Sequence, residues 1–369
     1  MDIYTHFVQW VECRGIVLHD IAATPFEGRG LGVRAQKRIS AGATLLEVPF
    51  TALYTPESVP NPIRAAARQT RAHGLLAAAL ASNTPPAWSA VLPTRADLEA
   101  SMPLCWPDAL LFHLPPAASQ LLKEQAAKLR ADWASVSSAI NHIKQRHYRY
   151  NWLLVNTRSF YFVPPTQRHR PPAPSNCLAL NPFADCLNHS STPSATVKPC
   201  GTSFVVSANT NIEADEEISI SYGNHSNDFL LVEYGFIMEK NPWDEFLLDP
   251  WILARMSQAQ INELDREGFL GSYILDRNTV CYRTQVALRL LCTSLDSWKN
   301  FLKGLDGTKN DERSYRDLLY QILEECRDHI PPTLAKISSF DDRFKSQKST
   351  LTHRWNQIDL LVRAAMLQI

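Results

Sequence analysis

The chain has no long hydrophobic run. Its longest, near Leu75 to Ala81, is far too short to cross a bilayer, which takes about 20 apolar residues in a helix. It has no excess of either charge: Lys plus Arg and Asp plus Glu number 37 each, so no global field draws it to acidic membranes or nucleic acid, and direct nucleic-acid binding is not expected. The opening residues, MDIYTHFVQWVECRG, carry acidic Asp2 and Glu12 and lack the basic flank and apolar core of a signal peptide. No repeat of fixed period is present, which argues against a helical-repeat adaptor built on the C-terminal half.

Paired cysteines are also missing. The eight cysteines, Cys13, Cys105, Cys177, Cys186, Cys200, Cys281, Cys292 and Cys326, are scattered, unlike a secreted disulfide scaffold, and read as reduced thiols of a soluble protein of the cytoplasm or nucleus. Cys177, Cys186, His189 and Cys200 are four potential zinc ligands in one region, but no Cys-x-x-Cys pair sets two of them on one tight turn, as structural zinc sites usually do. Small buried cysteines, and no metal, are the expectation.

What is present is length and apolar content: 369 residues, 45% hydrophobic, enough for a large core and two or three domains. Residues 14 to 55 hold short β-like runs (Gly15 to Leu18, Leu31 to Ala35, Thr44 to Pro49) bounded by turn residues, which predicts a small antiparallel sheet. From about Asn61 to Phe160 the texture is helical, with an alanine-rich stretch over Ile63 to Ala81 and Leu121, Leu122, Leu129, Trp133 and Val136 on one helical face. The loop Pro164 to Pro174 carries five prolines and three basic residues and cannot continue a helix or a central strand. Strands resume over Ser194 to Val197, Ser203 to Ala208 and Glu217 to Tyr222. Past Pro250, helices are predicted over Trp251 to Glu267, Tyr282 to Leu305, Glu312 to His329 and Leu351 to Gln368.

Five short motifs could carry chemistry. Glu27-Gly28-Arg29-Gly30-Leu31-Gly32 lies between strand-like runs rather than opening a helix, so it is a poor dinucleotide fingerprint; its glycines offer close backbone approach or a plain tight turn. Asn156 to Phe160 ends the helical stretch, where an arginine normally serves the helix dipole or solvent. Asp185-Cys186-Leu187-Asn188-His189 could hydrogen-bond crossing backbone or form an Asx-type turn. Glu217 to Gly223 is a strand ending in tyrosine and glycine, and Leu230 to Phe236 places two aromatics around Gly235, by default core packing.

Taken in order, the G-x-G strand, helical insert, N-T-R-S-F, D-x-x-N-H, E-x-x-x-x-Y-G and E-Y-G-F resemble the SET-domain methyltransferases of the Rubisco large-subunit methyltransferase type. The resemblance covers essentially the whole chain, strongly over residues 27 to 49 and 150 to 243 and only in texture past Pro250. It implies an α+β fold: a β-rich SET domain with a pseudoknot, its N-terminal part at 1–60 and its catalytic part at 156–245, a helical insert at 61–155, and a helical substrate-binding domain at 246–369. It implies S-adenosylmethionine as methyl donor and a protein substrate, whether histone, ribosomal, translation-factor or metabolic. A monomer is expected.

Carried over motif by motif, Glu27, Arg29, Leu31, Thr157, Asp185, Asn188 and His189 would line the cofactor. Arg158, Phe160, Ile220, Tyr234 and Phe236 would receive the substrate side chain, and Tyr222 would sit at their junction as the catalytic residue, also touching the cofactor. A lysine amine of pKa about 10.4 is neutral about once in 2,500 at pH 7, roughly 4.6 kcal/mol. A dry aromatic channel beside a sulfonium would lower that cost by desolvation and like-charge repulsion, without a dedicated base. Histidine transfer on the same fold would want a polar partner for the second ring nitrogen, and the aromatics Tyr234 and Phe236 favour lysine. The other alternative is a SET-like scaffold that binds a partner without catalysis.

Overall fold

The computed structural model describes residues 2–68, 70–167, 169, 171–278, 280–305 and 309–369; Arg168 and Arg170 of the proline-rich loop lie outside them. The chain forms two compact units, one of Met1–Leu98 with Glu124–Asn224, the other of Glu99–Lys123 with His225–Ile369.

In the first unit the helix Ile3–Glu12 buries Phe7 and Val11, four residues apart on one face. Strands follow as β1 (Val17–Leu18), β2 (Ile21–Phe26), β3 (Gly30–Ala35) and β4 (Thr44–Pro49), then, past the helical stretch, β5 (Ser159–Tyr161), β6 (Leu178–Leu180), β7 (Asn188–His189), β8 (Ala195–Cys200), β9 (Ser203–Ala208) and β10 (Glu217–Ile220). They build two four-stranded sheets, ordered β1-β4-β9-β8 and β2-β3-β10-β7, and a β5-β6 pair. Residues 14 to 55 thus do not make a sheet of their own. Two- to six-residue strands are marginal alone, and each half is completed by strands from beyond the helices.

The expected helix over Ile63 to Ala81 is two, Asn61–Ala66 and Ala72–Ser82. Between them Thr70 Oγ1 meets Ser135 Oγ at 2.6 Å and Arg71 Nε donates to Asp132 Oδ1 at 3.0 Å. These tertiary bonds win over alanine's helix preference. The His73 ring stacks on Trp152 at 4.1 Å and its Nε2 meets the Trp152 carbonyl at 2.9 Å.

The second unit pairs β11 (Glu245–Leu247) with β12 (Ile274–Asp276) and is otherwise helical. Trp298, Tyr273, Phe246 and Ile322 are among its fully buried residues. Two predicted helices are each split, into Asp249–Leu253 and Gln258–Arg266 and into Tyr282–Cys292 and Leu295–Leu302, where Ser257 and Ser294 cap the following helix by accepting backbone N–H groups. The helix Lys309–Ser338 runs through Pro331 and Pro332, nine residues past its predicted end. Both prolines and Asp328 are exposed, so water can serve the carbonyls that lose helical partners.

A buried ion cluster ties the segment after Asn224 to the last helix, Lys345–Met366. Arg354, wholly buried, donates to Asp228 Oδ1 and Asp244 Oδ2, each at 2.7 Å, and to the Glu245 carbonyl at 2.9 Å. Asn227 Nδ2 donates to Gln357 Oε1 at 2.9 Å, and Asn227 Nδ2 and Gln357 Nε2 both donate to the Met238 carbonyl. Among the described residues no helix is long and apolar enough to cross a membrane.

Candidate active site

The candidate site is built where two distant segments run side by side in the first unit. β7 pairs with β10 in parallel, Asn188 beside Ser219 and His189 beside Ile220. The Ser190 amide continues the pairing by donating to the Ile220 carbonyl at 2.9 Å. Sequence alternation predicted a strand through Tyr222, but β10 ends at Ile220. The reason is local: the Tyr222 amide donates to His189 Nδ1 at 3.0 Å instead of to a neighbouring strand's carbonyl. That acceptor role places the proton of a neutral imidazole on Nε2. The Tyr222 hydroxyl donates to the Leu187 carbonyl at 2.8 Å, so both ends of Tyr222 are referred to residues 187 and 189.

Glu217 joins three segments. Its Oε1 accepts from Asn188 Nδ2 at 2.8 Å and its Oε2 pairs with Arg29 Nη1 at 3.0 Å. Arg29 Nη2 also donates to the His189 carbonyl at 2.8 Å. Gly32 on β3 leaves room for the Asn188 side chain, since a Cβ there would stand 2.8 Å from Asn188 Nδ2 and 2.7 Å from the Phe26 ring. Gly28 and Gly30 have positive φ of 70° and 72°, and no atom lies within 4 Å of where their Cβ would be. This turn presents uncovered backbone that a ligand can approach.

In the turn Ala184–Cys186, just before β7, a second polar group is locked. Asp185, its side chain fully buried, accepts from Arg158 Nη1 at 3.3 Å and from Trp88 Nε1 at 3.2 Å, and its carbonyl accepts from the same arginine at 2.8 Å. Burial raises the Asp185 pKa above the usual carboxylate value, against the pull of the Arg158 guanidinium and the Trp88 bond. Burial, and then the Asp185 charge, push the Cys186 thiol well up, so it is an inert packing residue rather than a nucleophile. Phe183 holds a left-handed φ of 72°, a strained backbone for a bulky residue. It is fully buried and stacked on Phe7 at 5.9 Å.

Of the residues singled out from sequence, the first unit brings together Arg29, Asn188, His189 and Tyr222 in one bonded set, with Ile220 buried at the end of β10. Arg158 and Asp185 form a separate pair. Glu27 is exposed in the β2-β3 turn and Leu31 half-buried on β3. Thr157 spends its hydroxyl on the Leu153 carbonyl of its own helix at 2.9 Å. Phe160 on β5 lies 6.4 Å from the Phe204 ring. Tyr234 and Phe236 belong to the second unit, their rings 6.3 Å apart on either side of Gly235. Gly235 caps the helix Asn227–Tyr234 with φ of 82°, and a Cβ there would stand 2.8 Å from Met102 Sδ.

Sequence reasoning missed Glu217 and Trp88 as parts of the site. Glu217 was within reach, being the acidic residue that opens E-x-x-x-x-Y-G. Trp88, on the short helix Pro86–Ser89, carries no local signal. Of the four residues weighed as zinc ligands, Cys177 and Cys186 are buried and Cys200 is exposed. Among the described residues no group of three or more His, Cys, Asp or Glu is arranged to hold a metal ion.

Parallel pairing of an Asn-His segment with a strand that ends just before a tyrosine, beside a glycine-bearing hairpin, defines a class. The SET domain model matches residues 30–223, and the chain belongs to the SET-domain family. The model of the ribosomal lysine N-methyltransferase 2 C-terminal domain matches residues 249–367. Among curated relatives, SET domain-containing protein 4 of Mus musculus is 24% identical over 381 residues, spanning 93% of this chain and 85% of that protein. Ribosomal lysine N-methyltransferase set11 of Schizosaccharomyces pombe is 25% identical over 242 residues, 62% of this chain and 61% of that protein. A solved structure of the SET domain of LSMT bound to lysine and AdoHcy superposes with a TM-score of 0.64 at 18% identity, covering 99% of this chain and 92% of that one. At that identity the likeness establishes the fold.

Proposed function

We propose that the chain is an S-adenosylmethionine-dependent protein-lysine N-methyltransferase that acts by direct in-line transfer. The observation that carries this reading is the double tether of Tyr222, amide to His189 Nδ1 and hydroxyl to the Leu187 carbonyl, at the end of a strand paired with the Asn-His segment. The relatives named as ribosomal lysine N-methyltransferases support a protein, and among proteins a ribosomal component, as substrate.

The residues present fit the donor. Adenine edges need backbone N–H and C=O groups and a sulfonium needs oxygen acceptors; uncovered glycine backbone at Gly28 and Gly30 and the Leu187 and His189 carbonyls supply these types. We assign its binding to Glu27, Arg29, Leu31, Thr157, Asp185, Asn188 and His189. Bound S-adenosylmethionine supplies an already electrophilic methyl group, so alignment matters more than acid or base catalysis.

The protein's part is then positional. Asn188, held by Glu217, and Arg29, held by Glu217 and the His189 carbonyl, fix the Asn-His backbone. The Tyr222 hydroxyl directs its proton at Leu187 and turns its oxygen lone pairs away from that carbonyl, suited to weak C–H···O contacts with a methyl group. Arg158, Phe160 and Ile220 of the first unit are assigned to the acceptor side. Aromatic walls exclude water there and keep the acceptor amine neutral more of the time.

All eight cysteines are free thiols, a state that a reducing compartment preserves, and this supports work in the cytoplasm or nucleus. We take the enzyme to act as a monomer and without direct nucleic-acid contact.

The test incubates purified wild-type protein and Tyr222→Phe with radiolabelled S-adenosylmethionine and lysate of the source cells, followed by autoradiography and mass spectrometry. A discrete band labelled by wild type alone, modified on lysine, is the expected result. Equal labelling by both proteins, or a modified histidine, overturns the assignment.

A further inference from the structure

The second unit contains a cleft of about 510 Å³, lined by the chain around Phe112 to Lys123, the Leu247 to Trp251 turn and the two long C-terminal helices. Its character is a combination of apolar walls and uncompensated positive charge. Trp251 and Trp355 flank His329, with ring separations of 6.1 and 5.8 Å. Phe112 stands 88% exposed, its ring 6.1 Å from that of His113, so its apolar face is open to a partner.

Lys123 and Lys336 both line the cleft, both are exposed, and neither ammonium has a carboxylate partner among the described residues. The cleft's acidic side chain, Asp249, is committed to backbone: its Oδ1 accepts from the Tyr273 amide at 2.7 Å and its Oδ2 from the Ser272 amide at 2.9 Å. Burial, and then the nearby Lys336 and His329, hold the His113 pKa below its ordinary value. The Trp355 indole donates to the His113 carbonyl at 2.8 Å, which holds this wall rigid.

We infer that this cleft docks an acidic segment of the protein substrate, one that carries a bulky apolar side chain between its carboxylates. The apolar side chain would enter between Trp251 and Phe112, and the carboxylates would meet Lys123 and Lys336. Charge complementarity selects this occupant. A nucleic acid, which binds through a run of phosphates, is disfavoured by a cleft with only these two lysines on a chain of zero net charge. The inference rests on the protein-methyltransferase reading, and it adds a contact that selects the substrate away from the methylated residue.

The probe is a fluorescein-labelled short peptide with acidic residues on both sides of a central Leu-Phe, titrated with full-length protein and followed by anisotropy. The controls are the same peptide with lysines in place of the acids and an oligouridylate of equal charge. Wild type should bind the acidic peptide, and Lys123→Glu/Lys336→Glu should weaken it by about tenfold, with Phe112→Ser weakening it by a smaller factor. Should the reversal variant not fold, Lys123→Gln/Lys336→Gln keeps the same direction of effect. No binding of the acidic peptide, binding unchanged in the lysine variants, or tighter lysine-dependent binding of the oligouridylate each overturns the proposal. S-adenosylhomocysteine binding by the same samples separates this outcome from failure of the methyltransferase reading.

Discussion

Two polar assemblies in this chain are built from the same residue types and behave as opposites. At the strand crossing of the first unit, Arg29 pairs with Glu217 while its side chain remains 46% exposed, and Asn188 and Tyr222 are half-buried. In the second unit, Arg354 is fully buried between Asp228 and Asp244. The crossing keeps groups that a ligand can still reach, whereas the Arg354 cluster has committed every charge to fixing the shape of residues 225–245. Exposure marks the assembly that can do chemistry, and full burial the one that holds a frame.

The widest way to break the comparison is Arg354→Met. It leaves two carboxylates buried without their cation and should cost about 3–5 kcal/mol in urea unfolding. Adding Asp228→Asn and Asp244→Asn to it should recover most of that loss; failure to recover would mean that the cation is needed for more than pairing.

A half-buried titratable group in the first unit comes next. Burial lowers the His73 pKa to about 4, partly offset by its bond to the Trp152 carbonyl. Because the unfolded chain takes up this proton first, at about pH 6.5, stability should be constant above that pH. It should fall between pH 6.5 and 4 by on the order of 3 kcal/mol. The pH dependence of thermal unfolding in His73→Phe should lack this component.

Gly32→Ala pushes a methyl group against Asn188 and Phe26 and should cost about 1–3 kcal/mol, with weaker binding of S-adenosylhomocysteine by calorimetry. Glu217→Gln is the smallest perturbation. It keeps an acceptor for Asn188 and loses the half-exposed pair with Arg29, so stability should change by less than about 1 kcal/mol while S-adenosylhomocysteine affinity drops severalfold. A stability loss as large as that of Arg354→Met would erase the distinction between the two assemblies.

The crossing was legible in the sequence because its residues sit in short motifs whose internal spacing survives folding: Asn188 next to His189, and Tyr222 five residues after Glu217. The Arg354 cluster was not, since its partners lie 126 and 110 residues away and a lone Arg or Asp on a helix reads as solvated. Strand β2 was hidden by Pro25, which suits it to the edge position it occupies. The N-terminal helix was hidden by its shortness. The part played by Tyr234 and Phe236 was not legible, because two aromatics around a glycine give the same sequence context for a channel wall and for a core.

The most direct test is calorimetric titration of S-adenosylhomocysteine into wild type, Asn188→Ala and Tyr222→Phe, with methyl transfer to lysate protein measured on the same samples. The account predicts that Tyr222→Phe binds within about twofold of wild type yet loses about a hundredfold or more in transfer, while Asn188→Ala loses affinity itself. Normal transfer by Tyr222→Phe, or unchanged affinity in Asn188→Ala, would contradict it.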